Sequence, residues 1–423
     1  MSARDIDRYL AAIDEPAGGG RPARGHFAGR DAACHAAAMT DESLDPTAPL
    51  AGVRVLDLTR MFPGAYCTSL LADLGAAVLK VEAPGFGDGL RFMGEEFPAS
   101  HVAVNRGKRS MTLNLKSPRA GEILRRLVRD ADVLVESAKP GQMDKLGFGF
   151  EDLRQENPGL VWCALTGFGP DGPNVDVPGH DLTYLGYSGL LAQLAGADGT
   201  PIVPGLAVTL PVTGLMAAFG IVAALQGRTR TGVGSRVDAN MADTGNWMLS
   251  EQMVGAANGQ AQAWGTVAAR NNYRCADGRW ITCTASEPRS WAALVAATGL
   301  AELADHTMGD DEPGTIAKLE AAFAAQPQAH WLVTPGMAGG IGPVFTPSDL
   351  VDDPQTTARD GLVPLGDGSR ALANPLRLEG AKGAAASHGA TPPPALGADT
   401  DAALAAAGYS AAEIAALHAE QAV

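Results

Sequence analysis

From residue 50 onward, short apolar runs alternate with stretches whose apolar positions recur at helical spacing. The runs predict strands at 53–58, 77–81, 132–136 and 159–165, and the intervening stretches predict helices at 64–74, 121–131 and 150–156. Strands that alternate with helices are typical of an α/β fold, so we predict a large, Rossmann-like domain with a doubly wound, mostly parallel sheet. Because ligands of such sheets bind beyond the carboxyl ends of the strands, the loops after these strands are predicted to face the site.

A second pattern begins near residue 272, where a β-rich run carries the turn signal Asp277-Gly278. This run predicts a hairpin over 273–282, and helical periodicity follows at 290–299 and 313–325. We therefore predict a second, smaller α+β domain. The predicted organisation is, in order, a disordered extension at 1–48, a large domain at 49–245, a linker at 246–271, the small domain at 272–345, and a return to the large domain with a C-terminal helix at 346–423.

The composition is that of an ordinary globular enzyme, with 46% hydrophobic and 19% charged residues. A net charge of -15 argues against nucleic acid as a partner. The apolar stretch at 209–225 is interrupted by Pro211 and two glycines, which favours a buried helix over a membrane span. Because the N-terminus lacks the apolar core of a signal peptide, we expect a cytoplasmic location and no membrane partner.

Two further patterns bear on cofactors. The five cysteines are scattered without a C-x-x-C spacing, which indicates buried thiols and predicts no metal site. Residues 167–172 match the G-x-G-x-x-G pattern of dinucleotide-binding loops after a predicted strand. Pro170 and Pro173 break the chain where that fingerprint needs a helix to begin, so we predict a turn-rich loop and no nicotinamide cofactor.

Several short motifs occur in order between residues 49 and 423. They include Leu56-Asp57-Leu58-Thr59-Arg60, Asp73-Leu74-Gly75-Ala76, Lys80-Val81-Glu82-Ala83-Pro84 with Gly87-Asp88, Asn105-Arg106-Gly107-Lys108, Lys139-Pro140-Gly141 and Gly179-His180-Asp181. In these motifs the chain resembles the family III CoA-transferases of the CaiB/BaiF type and their relatives, the α-methylacyl-CoA racemases. The resemblance implies a protein that acts on an acyl-CoA and a carboxylic acid and that forms an interlocked homodimer.

The resemblance also implies a coenzyme A site on the large domain, with one group of residues at the thioester end and another near the adenosine phosphates. The first group is Arg60, Met61, Phe62 and Pro63, and the second is Leu113, Lys116, Ser137, Ala138 and Lys145. Lysine side chains suit a pyrophosphate. Read without the motifs, Lys116 and Lys145 are equally compatible with ordinary solvated surface residues.

One expected group is missing from the sequence. The resemblance implies a catalytic aspartate at the position that Thr209 occupies, and residues 199–237 contain neither Asp nor Glu. A hydroxyl ionises far less readily than a carboxylate and cannot form the acyl anhydride that such a transferase needs. Two possibilities stay open: another carboxylate, Asp181 or Glu287, reaches the site, or a different reaction uses His180.

Three functions follow as alternatives. The first is CoA transfer between carboxylic acids, for which Thr209→Asp is expected to create or raise activity. The second is racemase-like transfer of an α-proton, with His180 and Glu287 as the candidate bases and Asp181 bonded to nearby backbone or to His180. The third is CoA binding without turnover.

Overall fold

The computed structural model describes residues 46–94, 97–196, 198–260, 266–306, 311–378 and 391–423. Of the predicted extension at 1–48, all but the last three residues lie outside the described part of the chain. The described residues form two compact units. The first comprises the described parts of Met1–Ala195, Pro201–Ser250 and Asp360–Val423, and the second those of Gly196–Thr200 and Glu251–Arg359.

The first unit is built on a six-stranded sheet. Its strands are β1 (Arg54–Leu58), β2 (Ala77–Glu82), β3 (Arg109–Thr112), β4 (Val133–Glu136), β5 (Val161–Thr166) and β6 (Arg236–Asn240). Neighbouring strands pair in parallel, in the order β3-β2-β1-β4-β5-β6, which is the order of doubly wound nucleotide-binding sheets. The structure confirms the predicted α/β architecture as a parallel sheet of six strands with helices.

Seventeen α-helices are defined among the described residues. In chain order they are α1 (Phe62–Asp73), α2 (Ala99–Asn105), α3 (Ala120–Arg129), α4 (Gln142–Lys145), α5 (Phe150–Glu156), α6 (Asp181–Tyr187), α7 (Leu190–Gln193), α8 (Thr209–Thr231), α9 (Met241–Met248), α10 (Ser250–Ala257), α11 (Pro288–Thr298), α12 (Glu312–Phe323), α13 (Gln328–Val333), α14 (Pro347–Leu350), α15 (Pro354–Ala358), α16 (Thr400–Ala406) and α17 (Ala411–Ala419). Helix α10 lies inside the stretch predicted as a linker.

Side chains of the sheet alternate between two cores because successive Cβ atoms of a strand point to opposite faces. Val55 of β1 shares a buried cluster with Ile221 of α8. Its neighbour Leu56 shares a second buried cluster with Leu124 of α3. The sheet is therefore buried on both faces, as parallel sheets joined by crossover helices are.

The two edge strands, β3 and β6, are absent from the sequence prediction. Each pairs with one neighbour only, and polar residues occupy three of the four positions of RSMT and three of the five of RVDAN. Such mostly polar runs carry little of the apolar signal on which the prediction depends.

Helix α8 packs by one face against α1 and the sheet, and it buries Thr213, Ala217 and Ile221 there. By length and composition alone, α8 is the one helix in the described ranges that is long and apolar enough to cross a membrane, and 33% of its apolar window is buried. Its partial burial on the sheet accounts for much of its apolar sequence.

The second unit contains a three-stranded antiparallel sheet of β7 (Arg270–Arg274), β8 (Trp280–Thr284) and β9 (Ile341–Pro343). The predicted hairpin is present and turns at Asp277-Gly278, where Gly278 has a φ of 77° that favours glycine. Helices α11 and α12 lie within two residues of their predicted bounds. They pack Trp291 and Phe323 into the core of this unit.

The chain then returns to the first unit. A short ribbon of β10 (Leu362–Pro364) and β11 (Arg370–Leu372) is followed by α16 and α17. Ser410 and Glu413 form a reciprocal capping box at the start of α17. The C-terminal helix predicted from the sequence is therefore present, and Leu417 buries against the outer face of the sheet.

Candidate active site

The carboxylate of Asp181 is held at the N-terminus of α8 by four hydrogen bonds. Asp181 is the first residue of α6, in the long connection that follows β5. Its Oδ1 accepts from the Thr209 amide at 2.8 Å, from the Thr209 hydroxyl at 2.6 Å and from the Leu210 amide at 3.2 Å. Its Oδ2 accepts from the Val208 amide alone, at 2.8 Å. The two oxygens therefore differ in how strongly they are bound.

Local structure explains why these donors point at Asp181. The first amides of a helix have no partner within the helix, and the helix dipole makes its N-terminus attractive to an anion. Helix α8 is 23 residues long, which gives that dipole its full strength. Thr209 itself is fully buried, and the Thr213 hydroxyl donates to its carbonyl oxygen at 2.8 Å. The Thr209 hydroxyl is oriented by its own hydrogen bond to Asp181 Oδ1.

The start of α1 lies against the first turns of α8. A Cβ built on Gly214 would lie 2.7 Å from the carbonyl oxygen of Pro63 and 2.7 Å from Cβ of Tyr66. Only glycine permits so close an approach. Gly214 follows Thr209 by five residues on the same helix, about 7.5 Å along its axis. Helix α8 therefore links the donors that bind Asp181 to the residues that contact Pro63.

Met61 in this loop has a backbone conformation that is nearly confined to glycine, with φ 63° and ψ −163°. Holding a side-chain-bearing residue there costs on the order of 1–3 kcal/mol. Both amides of the turn are held by side chains from other loops. The Arg60 amide donates to Ser137 Oγ at 3.0 Å, and the Met61 amide donates to Asp88 Oδ1 and Oδ2 at 3.2 and 3.3 Å.

A buried charge network lies beneath this turn. Lys80 Nζ is 2.9 Å from Asp88 Oδ2 and 3.8 Å from Asp57 Oδ2, and it also donates to the carbonyl oxygen of Thr59 at 3.0 Å. Burial alone would raise the pKa of Asp88, but Lys80 and the Leu90 amide together hold it below its usual value. Burial would likewise raise the pKa of Asp57, and the neighbouring lysines lower it. The acids are therefore ionised and paired.

A third loop, which follows β4, contacts the turn at Arg60. Ser137 contacts Arg60 as described, and the Ala138 amide donates to Glu136 Oε2 at 2.6 Å. Burial raises the pKa of Glu136 to about 7, against the lowering effect of that hydrogen bond. A small polar cavity along β5 and β6 and at the end of β4 is lined by Glu136 and Lys139, among others.

The structure brings Asp181 and Thr209 together, and the predicted loop at residues 60–63 contacts α8 where Pro63 lies against Gly214. Asp181 supplies a carboxylate that accepts a hydrogen bond from the Thr209 hydroxyl. His180 is exposed and immediately precedes Asp181, and its amide donates to Thr183 Oγ1. Glu287 belongs to the second unit, where it is exposed and directly precedes α11.

One of the predicted ligand residues has a buried side chain. The side chain of Leu113 is 2% exposed and belongs to the core under α3, and its place beside an adenosine phosphate stays a prediction. The alternation of β3 into the following residues directs this side chain inward. Lys116 and Lys145 are exposed, and their prediction as phosphate ligands stays a prediction.

Two observations concern other ligands. Among the described residues, no cluster of three or more His, Cys, Asp or Glu side chains could hold a metal ion. The G-x-G-x-x-G match at 167–172 lies in turns and bends after β5, and the next helix begins only at Asp181. The larger groove of the first unit, beyond β2 and β3, is lined by Asp401 and His418, among others. The Asp401 carboxylate does not favour a phosphate there.

Sequence reasoning assigned no role to Lys80 or Asp88. Both stand in the motifs quoted above, but a lysine within a strand and an aspartate in the loop after it carry no signal that they pair. The signal that could have identified them is the apolar surroundings of Lys80 within a predicted buried strand, because a buried lysine needs an acidic partner.

The comparisons with known proteins agree with this architecture. The model of CoA-transferase family III matches residues 50–400. Human α-methylacyl-CoA racemase is 34% identical over 325 residues, which is 74% of this chain and 82% of the relative. Acetyl-CoA:oxalate CoA-transferase from Acetobacter aceti is 34% identical over 355 residues, 79% of this chain and 90% of the relative.

Among solved structures, a CaiB/BaiF family protein from Brucella suis is 31% identical with a TM-score of 0.77, and the match covers 85% of this chain and 99% of that one. The resemblance read from the motifs is therefore confirmed. The protein belongs to CoA-transferase family III.

Proposed function

We propose that this protein transfers coenzyme A from an acyl-CoA to a free carboxylic acid, with Asp181 as the acyl carrier. The observation that carries the proposal is the Asp181 carboxylate, which is oriented by four donors at the start of α8. Pro63, at the end of the loop at residues 60–63, contacts Gly214 of the same helix. Its transferase and racemase relatives support an acyl-CoA as substrate.

The unequal bonding of the two oxygens suggests which of them reacts. Oδ2 accepts one hydrogen bond and Oδ1 accepts three, so Oδ2 is the less stabilised oxygen and the better nucleophile. Attack by Oδ2 on the thioester carbonyl forms a mixed anhydride and releases CoA thiolate. The thiolate then attacks the Asp181 carbonyl carbon, which forms an aspartyl–CoA thioester and releases the first acid.

In that second step Oδ1 becomes the oxygen on which negative charge develops. The donors already aimed at Oδ1, namely the Thr209 amide, the Thr209 hydroxyl and the Leu210 amide, would stabilise this charge without reorganisation. The acceptor acid attacks the aspartyl thioester, which forms a new mixed anhydride and releases CoA thiolate. The thiolate then attacks the acyl carbonyl carbon of this anhydride, which forms the new acyl-CoA and releases the Asp181 carboxylate. Thr209 thus assists the carboxylate and does not replace it.

A racemase-like activity is the second candidate, because one relative is named as an α-methylacyl-CoA racemase and because His180 is exposed beside Asp181. In this reaction a base removes the α-proton of the acyl group and a second group returns one. Deuterium incorporation at the α-carbon of a branched acyl-CoA would distinguish it from transfer, which leaves that carbon untouched.

The experiment follows label from a free acid into a thioester. We expect the natural protein to form labelled acyl-CoA from a labelled acid and an unlabelled acyl-CoA donor, and Asp181→Asn to abolish this. Asp152→Asn, at an exposed aspartate of α5, is the matched control and should retain activity. Full activity of Asp181→Asn would refute the assignment. Binding of CoA with neither transfer nor exchange would favour a binding protein without turnover.

The proposed assembly is the interlocked homodimer implied by the family. It is supported by an apolar stripe on α8, where Leu215, Phe219 and Val222 are 49%, 69% and 37% exposed at helical spacing. Light scattering should give a dimer for the natural chain and a weakened dimer for Phe219→Asp. A natural chain that is monomeric at micromolar concentration would contradict the assembly.

The proposed location is the cytoplasm. The described cysteines Cys67, Cys163, Cys275 and Cys283 are free, buried thiols, a state that suits a reducing compartment. Fractionation of the native host cell is expected to recover the protein with soluble cytoplasmic markers, and recovery with membranes would contradict this.

A further inference from the structure

Met61 has a strained backbone conformation, with φ 63° and ψ −163°, and the chain around it is held from three directions. Lys80 Nζ donates to the carbonyl oxygen of Thr59, Ser137 Oγ accepts from the Arg60 amide, and Asp88 accepts from the Met61 amide. Strained residues persist where the surroundings over-determine them, and they cluster at functional sites. The fixing of this turn therefore needs an explanation.

Asp88 is the centre of this arrangement. It is 1% exposed, forms an ion pair with Lys80, and accepts from the Leu90 amide at 3.0 Å. Its own amide donates to Glu82 Oε1 at 2.9 Å, which fixes the Asp88 backbone as well. The carboxylate that binds Met61 is thus rigidly placed on the loop after β2.

The Met61 side chain adds a second constraint. Its Sδ would lie 3.1 Å from a Cβ built on Gly89, and it packs beside the buried side chains of Leu90 and Val104. Side chain and backbone of Met61 are therefore both fixed by the segment that carries Asp88.

We infer that Asp88, paired with Lys80, is a positioning residue that holds the Arg60–Met61 turn in the conformation that receives the acyl end of the thioester. The inference rests on the function proposed above. It predicts that Asp88 acts through the backbone of Met61 and not by contact with substrate. Loss of the Asp88 charge should therefore slow turnover but leave the affinity for CoA, which depends on the distant adenosine phosphates, nearly unchanged.

The test is a double-mutant cycle between Asp88→Asn and Met61→Gly. Asp88→Asn is expected to lower kcat for CoA transfer by about tenfold or more, because a small misplacement of reacting groups greatly lowers the rate. The dissociation constant for CoA should change by less than about threefold. In the Met61→Gly background, Asp88→Asn should cost less than about threefold in kcat, because glycine adopts this conformation without strain.

Asp73→Asn is the matched control. Asp73 forms a comparably buried ion pair with Arg106 at the opposite end of α1. This variant is expected to lower the melting temperature while kcat stays near that of the natural protein below the transition. A kcat loss in Asp73→Asn equal to that in Asp88→Asn would show that any broken buried pair has this effect, and would overturn the inference.

Hydrogen exchange supplies a readout that does not depend on turnover. The Met61 amide is expected to exchange faster in Asp88→Asn and at the natural rate in Asp73→Asn. Asp88→Glu, which keeps the charge and displaces the carboxylate, provides the same comparison if Asp88→Asn does not fold. A natural protein without transfer would refute the proposed function alone, whereas unchanged exchange at Met61, or equal kcat losses in both backgrounds, would refute the positioning role.

Discussion

Replacing Thr209 by valine tests the arrangement around Asp181. The two side chains have nearly the same shape, so the change removes one donor and little else. In the structure the Thr209 hydroxyl donates to Asp181 Oδ1 at 2.6 Å and is fully buried. A hydrogen bond to a charged group contributes about 1.5–3 kcal/mol.

The structure places the effect at the lower end of that range. Oδ1 keeps the amide donors of Thr209 and Leu210, and Asp181 is half-buried, so water can replace part of the lost bond. We therefore expect a loss of about 1.5 kcal/mol, or roughly tenfold in the rate of transfer. Single-turnover release of the first acid from an acyl-CoA measures the step in which charge develops on Oδ1.

Two variants serve as controls. Thr209→Ser keeps the hydroxyl and should keep most of the rate. Thr213→Val removes an equally buried hydroxyl one turn later on α8. This hydroxyl donates only to the carbonyl oxygen of Thr209, so its loss should leave the rate nearly unchanged. Equal rates for Thr209→Val and the natural protein would refute the reasoning, as would an equal loss in Thr213→Val.

The remaining predictions concern packing, coenzyme A affinity and pH. Gly214→Ala should lower the stability of the fold by about 1–3 kcal/mol, because its Cβ would lie 2.7 Å from atoms of Pro63 and Tyr66. Gly227→Ala, which has open space around it on the same helix, should raise the stability by about 0.5–1 kcal/mol. Thermal unfolding of the two variants measures both changes. Lys116→Glu and Lys145→Glu should each weaken CoA binding by about 1–3 kcal/mol, as measured by calorimetry. The control Lys318→Glu, in the second unit, should leave the affinity unchanged. If neither Lys116→Glu nor Lys145→Glu changed the affinity, the phosphate site would lie elsewhere. The pKa of Glu136 is about 7 in the folded protein against 4.5 in the unfolded chain, so the folded protein binds this proton more tightly. The contribution of the protonated Glu136 to stability is therefore complete below pH 4.5. It is lost as the pH rises through 7, by up to about 3 kcal/mol. Glu136→Gln should remove that dependence and be the more stable protein at pH 8; an unchanged pH profile in denaturant titrations would count against the raised pKa.

The central strands, the hairpin and the C-terminal helix were predictable because each is a local pattern of burial. Strand β4 and helix α5, for example, appear in the sequence as short runs with the right period. The edge strands β3 and β6 were not predictable, because an edge position leaves polar residues in the run. What the sequence marks is an apolar run, and β3 has only one apolar residue although its two central residues are buried.

The sequence named candidate site residues but not the contacts between them. Thr209 and Asp181 both stood out in the sequence, yet they are 28 positions apart and nothing local says that one hydrogen-bonds the other. This contact changes the outcome expected for Thr209→Asp. A second carboxylate there would face Asp181 at hydrogen-bond distance, and like charges so close are unfavourable. We now expect that variant to lose stability and transfer, where the sequence alone favoured a gain.

The central claim is that Asp181 carries the acyl group and then coenzyme A, and covalent trapping tests it most directly. The natural protein is incubated with an acyl-CoA donor, quenched with hydroxylamine, digested and mapped by mass spectrometry. We predict a hydroxamate on Asp181, formed only when the donor is present. A hydroxamate on Glu287 or on another carboxylate, or transfer that proceeds with no trapped residue at all, would contradict the account.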